Sequence, residues 1–282
     1  MKIICPLVAS TFLILNLKQT KMKRNILRRI VAGIYHKSQD YKLLLKKKKL
    51  RDNPQFINVG GGKFVRENWR VMDYSTDEKS VEYRLMDYNI DLMKIKRWDI
   101  KDKSFELAYC SHTIEHLSNE AVQNLFSNVF RILKSGSTFR IVVPDIDLAL
   151  YHYKNKNLEW FQICYGKFAH LPKDMNFALE HYLLTFFATK KREEVNLMNV
   201  REDFKKLSKQ EFLEKYGSDY TYSNSNYHIN WWNFEKLKKF LEKVGFKEIK
   251  KSCFKQSEIP EFCNNDFDST IPQMSLFIDC KN

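Results

Sequence analysis

Short apolar runs separated by polar or helical stretches dominate the chain after Pro54. A helix is predicted over Asn119–Leu133, and Ser135-Gly136 is a stop signal behind it. Strands that alternate with such crossovers indicate an α/β fold with a mostly parallel sheet, covered on both faces. The five predicted strands are Gln55–Val59, Trp69–Met72, Tyr83–Met86, Phe105–Cys110 and Thr138–Val143.

Residues 146–231 follow the last of these strands and are rich in aromatic residues and histidine. The spacing in Leu179–Ala188 predicts a packed helical insertion, placed where it would cover a substrate pocket. Most of its aromatic residues are expected in a core. His152, His181 and His228 are the candidate substrate contacts. The aromatic stretch Tyr220–Trp232 could stack on a sugar ring or fill a core.

Residues suited to ligand binding follow each of the first four predicted strands. They are the triplet Gly60–Gly62, then Asp73, Asp87 and Ser111. Ligands of parallel sheets bind outside the carboxyl ends of the strands. Glycine lets the backbone pass close to a nucleoside, while Asp73 could accept the hydroxyls of a ribose and Asp87 the amino group of an adenine. A tight turn, a helix cap and a surface acid are the structural alternatives for Gly60–Gly62, Asp73 and Asp87.

Several motifs together resemble those of class I S-adenosylmethionine-dependent methyltransferases. Asn58-Val59-Gly60-Gly61-Gly62 is similar to the glycine loop, and Asp102–Leu117 resembles a conserved segment of the type 11 methyltransferase domain. Arg131–Ser137 resembles the family's R-V-L-K-P-G-G, with Ser-Gly-Ser at its end. Trp232–Cys280 resembles the closing helix and the last two antiparallel strands.

This resemblance implies a Rossmann-like sheet, mostly parallel with the last strand antiparallel, in a domain over residues 55–282. It implies S-adenosylmethionine as the cofactor, bound by Asn58, Gly60–Gly62, Asp73, Asp87 and Ser111. The likeness is closest to bacterial predicted methyltransferases associated with cell-surface polysaccharide synthesis. The implied acceptor is therefore a small molecule or a saccharide, including a lipid-linked surface glycan.

Methyl transfer to a hydroxyl acceptor requires a base within hydrogen-bond reach. His112, Glu115 and His116, which follow the fourth predicted strand, are the catalytic candidates. His116 could instead be a structural residue. The same stretch spells the metalloprotease pattern H-x-x-E-H, which requires both histidines on one helix. Because His112 lies at a strand-to-helix turn, we expect no metal site.

The positive charge of the chain is concentrated at its N-terminus. Residues 1–54 contain 14 Lys/Arg and two acids, and so carry +12 of the net +14. The near-neutral remainder argues against a nucleic-acid partner. An RNA methyltransferase and a degenerate cofactor-binding partner subunit are the alternative functions. A nicotinamide enzyme is disfavoured because the full G-x-G-x-x-G is absent.

The N-terminal arm, residues 1–54, begins with the apolar run Ile3–Leu17. This run has the form of a secretory signal, but the lack of an A-x-A-like cleavage site and the more basic downstream flank argue against one. A short anchor and untranslated sequence before a start at Met22 are the other interpretations. From Met22 the spacing predicts an amphipathic helix with a basic face, followed by the cationic block Lys46–Lys49. This helix would lie on anionic lipid or pack on the domain. The apolar stripe of this helix consists of Ile26, Leu27, Ile30, Val31, Ile34 and Tyr35.

The cysteines show no C-x-x-C spacing, so neither a zinc ribbon nor a thioredoxin motif is present. A chain of this length can build a core without disulfides, which favours reduced thiols and a cytoplasmic, membrane-associated protein.

Overall fold

The computed structural model describes residues 29, 32–33, 35–50, 55–165, 174–217 and 227–282. The chain divides into two compact units, Met1–Leu50 and Arg51–Asn282. In the first unit, residues 35–49 form helix α1. The apolar run at the N-terminus lies outside the described residues. Of the predicted apolar stripe, only Tyr35 is described, and it is 59% exposed. Among the helices that the structure describes, none is long and apolar enough to cross a membrane.

Seven strands of the described residues form one sheet in the second unit. They are β1 (Phe56–Val59), β2 (Trp69–Asp73), β3 (Tyr88–Asn89), β4 (Phe105–Ser111), β5 (Leu133–Pro144), β6 (Lys247–Ser252) and β7 (Ser275–Lys281). Their spatial order is β3-β2-β1-β4-β5-β7-β6. Strands β1 to β5 are parallel, and β7 runs antiparallel to both of its neighbours. The predicted α/β class, with its antiparallel last strand, is confirmed.

The helices of this unit cover the sheet and fill the predicted insertion. They are α2 (Val81–Leu85), α3 (Asn119–Ile132), α4 (Ile146–Lys154), α5 (Leu158–Tyr165), α6 (Ala178–Phe187), α7 (Lys191–Glu194), α8 (Leu197–Lys206), α9 (Lys209–Gly217) and α10 (Phe234–Val244). Helices α3 and α10 pack on the sheet core, whereas the helices of the insertion bury a second apolar core around Phe161, Tyr182 and Phe187. The helix predicted over Leu179–Ala188 is α6.

The prediction of a strand over Tyr83–Met86 is wrong, because residues 83–85 lie in helix α2 and Met86 is its C-cap. The Ser80 hydroxyl accepts a hydrogen bond from the Tyr83 N–H and caps the helix at its first turn. Only Leu85 of the helix is buried. The third strand is instead the two-residue β3, which begins after Asp87. An apolar run this short fits one helical turn as well as a strand.

Helix α3 ends at Ile132, before the predicted stop at Ser135-Gly136. The next residue, Leu133, is already extended and pairs with Phe105 of β4. Strand pairing therefore ends this helix, and Gly136 takes its left-handed conformation (φ 78°) inside β5.

A buried ion pair fastens the loop between β6 and β7 to the middle of the sheet. Arg140 of β5 is fully buried, and its guanidinium Nη2 donates to Asp268 Oδ2 at 2.6 Å. Its Nη1 donates to Asp279 at 2.8 Å. The backbone N–H of Asp268 donates to the Tyr109 hydroxyl at 2.8 Å. Both charges are thus removed from water and depend on each other.

We predict that Asp268→Asn lowers the free energy of unfolding by about 3–5 kcal/mol, because it leaves a buried guanidinium short of negative charge. Urea unfolding followed by circular dichroism measures this loss. The matched control is Asp266→Asn, whose carboxylate pairs with Arg66 but is 55% exposed. That substitution should cost about 0–1 kcal/mol. Equal losses for the two variants would contradict the prediction.

Candidate functional site

The glycine loop follows β1 and lies against the turn after β4. Gly60 and Gly62 are left-handed, with φ of 73° and 52°, which side chains rarely tolerate. The N–H groups of Gly60 and Gly61 donate to the Met72 carbonyl at 2.8 and 3.1 Å. A Cβ on Gly60 would lie 2.1 Å from Thr113 Oγ1. The loop therefore requires glycine at this position.

Asp73, the last residue of β2, holds the glycine loop with its carboxylate. Its Oδ2 accepts the N–H of Gly62 at 2.6 Å, and its Oδ1 accepts that of Tyr74 at 2.7 Å. Each carboxylate oxygen has a second lone pair for a ligand. This half-buried carboxylate thus fixes the loop and faces the ligand edge of the sheet.

Asn58 and Ser111 complete this edge. Asn58 is buried in β1 and supports the loop, since a Cβ on Gly61 would lie 3.1 Å from its Cγ. The Ser111 hydroxyl, at the end of β4, is buried and has no hydrogen-bond partner. A left-handed loop that a Cβ would obstruct, an anchored carboxylate and an unpartnered hydroxyl fit the nucleoside and amino-acid ends of S-adenosylmethionine.

The position predicted for Asp87 is wrong, because this residue precedes β3. Its Oδ2 accepts the Val71 N–H at 2.9 Å, and its Oδ1 accepts from Arg70 at 3.0 Å. It therefore lies beside the middle of β2. Asn89 is the β3 residue that pairs with Asp73 at the ligand edge. Sequence reasoning missed Asn89 because it read α2 as the strand. The adenine contact of Asp87 stays a prediction.

The three catalytic candidates converge after β4, around a buried carboxylate. Glu115 is only 1% exposed. His112 Nδ1 lies 3.4 Å from Glu115 Oε1, and His116 Nε2 lies 4.0 Å from the same oxygen. His228, predicted as a substrate contact, joins them with its Nε2 also at 4.0 Å. The backbone N–H groups of Ile229 and Asn230 donate to the Glu115 carbonyl, which brings this distant segment to the site.

Each imidazole is oriented by a hydrogen bond from its other nitrogen. Nδ1 of His116 lies 2.9 Å from the Tyr227 carbonyl, and Nδ1 of His228 lies 2.8 Å from the Phe186 carbonyl. Nε2 of His112 lies 2.9 Å from the Ser275 hydroxyl. The two oxygens of Glu115 itself have no hydrogen-bond partner.

The electrostatics of the cluster favour an ionised carboxylate beside a neutral His228. Burial alone would raise the pKa of Glu115, but the nearby imidazole of His112, 3.4 Å away, and the positive charge that the surrounding histidines can carry lower it to about 2. Burial, with a further contribution from His116, lowers the pKa of His228 to about 4. At neutral pH the carboxylate is therefore charged, while the His228 ring is not.

The other two substrate candidates lie on insertion helices. The ring of His152 in α4 stacks on Trp160 at 4.2 Å between centroids, and its Nδ1 lies 3.1 Å from Asn157 Nδ2. His181 lies on α6 with its ring edge-on to Tyr182. Their substrate roles stay predictions.

One family model and several solved structures are similar to the chain. Residues 60–141 match the family described as a methyltransferase domain. No curated protein matches the chain. A SAM-dependent methyltransferase structure from Archaeoglobus fulgidus is 16% identical, with 87% of this chain and 94% of that chain covered at a TM-score of 0.41. A possible histamine N-methyltransferase from Thermotoga maritima is 15% identical, with coverages of 90% and 96% and a TM-score of 0.39.

The order of the strands and the family match agree with each other. The chain has a Rossmann-like α/β fold, and its residues 60–141 match a methyltransferase domain.

Proposed function

We propose that this protein transfers the methyl group of S-adenosylmethionine to a small-molecule or saccharide acceptor, with a lipid-linked surface glycan as the specific candidate. The main support for this proposal is the close approach of the Gly60 loop to Thr113. It places the edge formed by Gly60–Gly62 and Asp73, where the cofactor would bind, beside the cluster around Glu115. Donor and acceptor must meet within about 3–3.5 Å for an in-line displacement. The two halves of such a site adjoin here.

The residues of the first half would hold the cofactor, which supplies an electrophilic methyl group when bound. The Gly60–Gly62 backbone leaves room for the nucleoside, and Asp73 accepts from the ribose hydroxyls. Because Asp73 is anchored by the N–H groups of Gly62 and Tyr74, its carboxylate loses little freedom on binding. The free Ser111 hydroxyl is suited to the amino-acid end.

The second half would receive a proton from the acceptor. His112, Glu115 and His116 are the bases that we propose, and their place directly after β4 supports this role. His112 holds a left-handed backbone, with φ of 48°, and this strain is typical of functional positions. An imidazole beside an ionised carboxylate can take a proton and keep it stabilised.

The insertion would supply the acceptor pocket. Its largest aromatic side chains are buried in the core of the insertion. A sugar ring would therefore stack on exposed residues such as Tyr151, which is 62% exposed. An insertion with its own core can vary its surface without disturbing the sheet. This separation supports an acceptor specificity set by the insertion.

The arm would bring the enzyme to an anionic membrane, where lipid-linked glycans occur. Tyr41 and Leu45 lie one turn apart on α1 and are 63% and 38% exposed. The cationic block Lys46–Lys49 follows them directly. Exposed apolar groups beside lysines are the usual composition of a helix that lies on lipid.

We predict that the protein binds S-adenosylmethionine and S-adenosylhomocysteine, but not NAD. Asp73→Ala should weaken binding roughly 10- to 100-fold, because charge-assisted hydrogen bonds worth about 1.5–3 kcal/mol are lost. Isothermal titration measures both effects. Asp91→Ala, in a turn beyond β3, is the matched control and should bind normally. Unchanged affinity for Asp73→Ala would remove Asp73 from the cofactor site.

The acceptor class is tested by following the formation of S-adenosylhomocysteine. We expect turnover with nucleotide sugars or lipid-linked saccharides and none with RNA. RNA methylation would replace the proposal with the nucleic-acid alternative. Cofactor binding without turnover on any acceptor would favour a degenerate partner subunit.

We predict that the full chain binds vesicles rich in phosphatidylserine and that added salt weakens this binding, because each basic residue near the surface contributes about 1 kcal/mol. Vesicle sedimentation measures the binding. A chain shortened to begin at Arg51 should lose it and keep its cofactor affinity. Failure of the full chain to bind at low salt would contradict the membrane role.

A further inference from the structure

The hydrogen bonds of His116 and His228 determine which of their nitrogens carry a proton. A backbone carbonyl only accepts, so each Nδ1 is the donor to Tyr227 or Phe186. In a neutral ring Nε2 is then a bare lone pair. Both Nε2 atoms face Glu115 Oε1 at 4.0 Å.

Three acceptors therefore point at one another in a site with little access to water. Neither Glu115 oxygen has a hydrogen-bond partner, and the side chain is 1% exposed. The side chains of His116 and His228 are 24% and 16% exposed. Unpaired acceptors in such surroundings are costly. A cation between them turns their mutual repulsion into attraction.

We propose that Glu115, His116 and His228 bind a divalent transition-metal ion. The donor atoms of these three residues lie within 4.8 Å of one another. Ligands about 2 Å from a tetrahedral zinc lie roughly 3.3 Å apart, so a contraction of no more than about 1.5 Å closes the site. Two imidazoles and one carboxylate, with a fourth position left open, are a common ligand set of catalytic zinc.

The surroundings of the three ligands also suit a metal. Ligating histidines usually donate their second N–H to a carbonyl or a carboxylate, which fixes the ring and its tautomer, and His116 and His228 do so. His112, with its Nδ1 3.4 Å from Glu115 Oε1, is placed to orient the carboxylate. Because the ion would occupy Glu115 and His116, His112 is the one of the three proposed bases that stays available for the methyl acceptor. The ion would thereby fasten the segment that carries His228 to the turn after β4.

This site differs from the one that the H-x-x-E-H pattern suggests. His112 lies at the turn, as expected, and is not among the three ligands. His228 takes the place of the first histidine, from a part of the chain that the pattern does not include. The expectation of no metal applied to a site in which both His112 and His116 are ligands.

The test uses tag-free full-length protein, because an affinity tag would add histidines. Elemental analysis after zinc loading and dialysis should find about one zinc per chain. Cobalt(II) should give the visible absorption of a low-symmetry nitrogen–oxygen site. His228→Gln and Glu115→Gln should weaken zinc binding at least roughly 100-fold, since even second-shell changes cost 10- to 100-fold. His152→Gln and His181→Gln are the matched controls and should retain the metal.

A chelator should lower the melting temperature of the wild type and leave that of His228→Gln unchanged. Less than about 0.1 equivalent of zinc in the wild type, with no cobalt spectrum, would overturn the proposal. A proton on one of the three residues would then take the place of the metal ion. Retention of metal by both ligand variants would overturn it too. If a variant does not fold, the cobalt titration of the wild type still decides. Because these readouts need no methyl acceptor, their failure leaves the proposed methyl transfer standing.

Discussion

A carboxylate with almost no contact with water has to find its positive or proton-donating partners inside the protein. Burying such a charge costs several kcal/mol unless it is compensated. Glu115 faces imidazoles from the turn after β4 and from the segment that begins at Tyr227, and the metal ion that we propose would supply the positive charge between them. Its own carbonyl holds that segment through Ile229 and Asn230. Both the side chain and the backbone carbonyl of Glu115 therefore contact the segment that carries His228.

The parallel sheet makes this arrangement possible. Since β1, β2 and β4 end at the same edge, the glycine loop, Asp73 and the turn bearing Glu115 become neighbours without long connections. The strands beneath this edge are held rigidly by the ion pair between Arg140 and Asp268, which fixes the β6–β7 loop to the middle of the sheet. The edge can therefore carry strained residues such as His112, because the strands beneath it are fixed.

Sequence patterns were sufficient for the features that depend on local order. The strand ends before Gly60 and at Asp73 and Ser111, and the closing helix with its two antiparallel strands, follow from periodicity and motif. The third strand did not, because a five-residue run capped by Ser80 fits either structure. Contacts between residues far apart in the sequence could not be predicted either. Arg140 and Asp268 are 128 residues apart, and nothing local links Glu115 with His228. Burial of charge, unlike periodicity, leaves no trace in neighbouring residues.

The contact between Gly60 and Thr113 has a consequence for how this enzyme can diversify. Because a Cβ on Gly60 would lie 2.1 Å from Thr113 Oγ1, the distance between the glycine loop and the turn after β4 depends on the absence of a side chain at Gly60. A bulkier residue at either position would separate the two halves of the site and lengthen the path of the transferred group. Related chains should therefore change these two positions together or not at all. Adaptation to new acceptors is left to the surface of the insertion, where length and shape can vary while the reaction distance is kept.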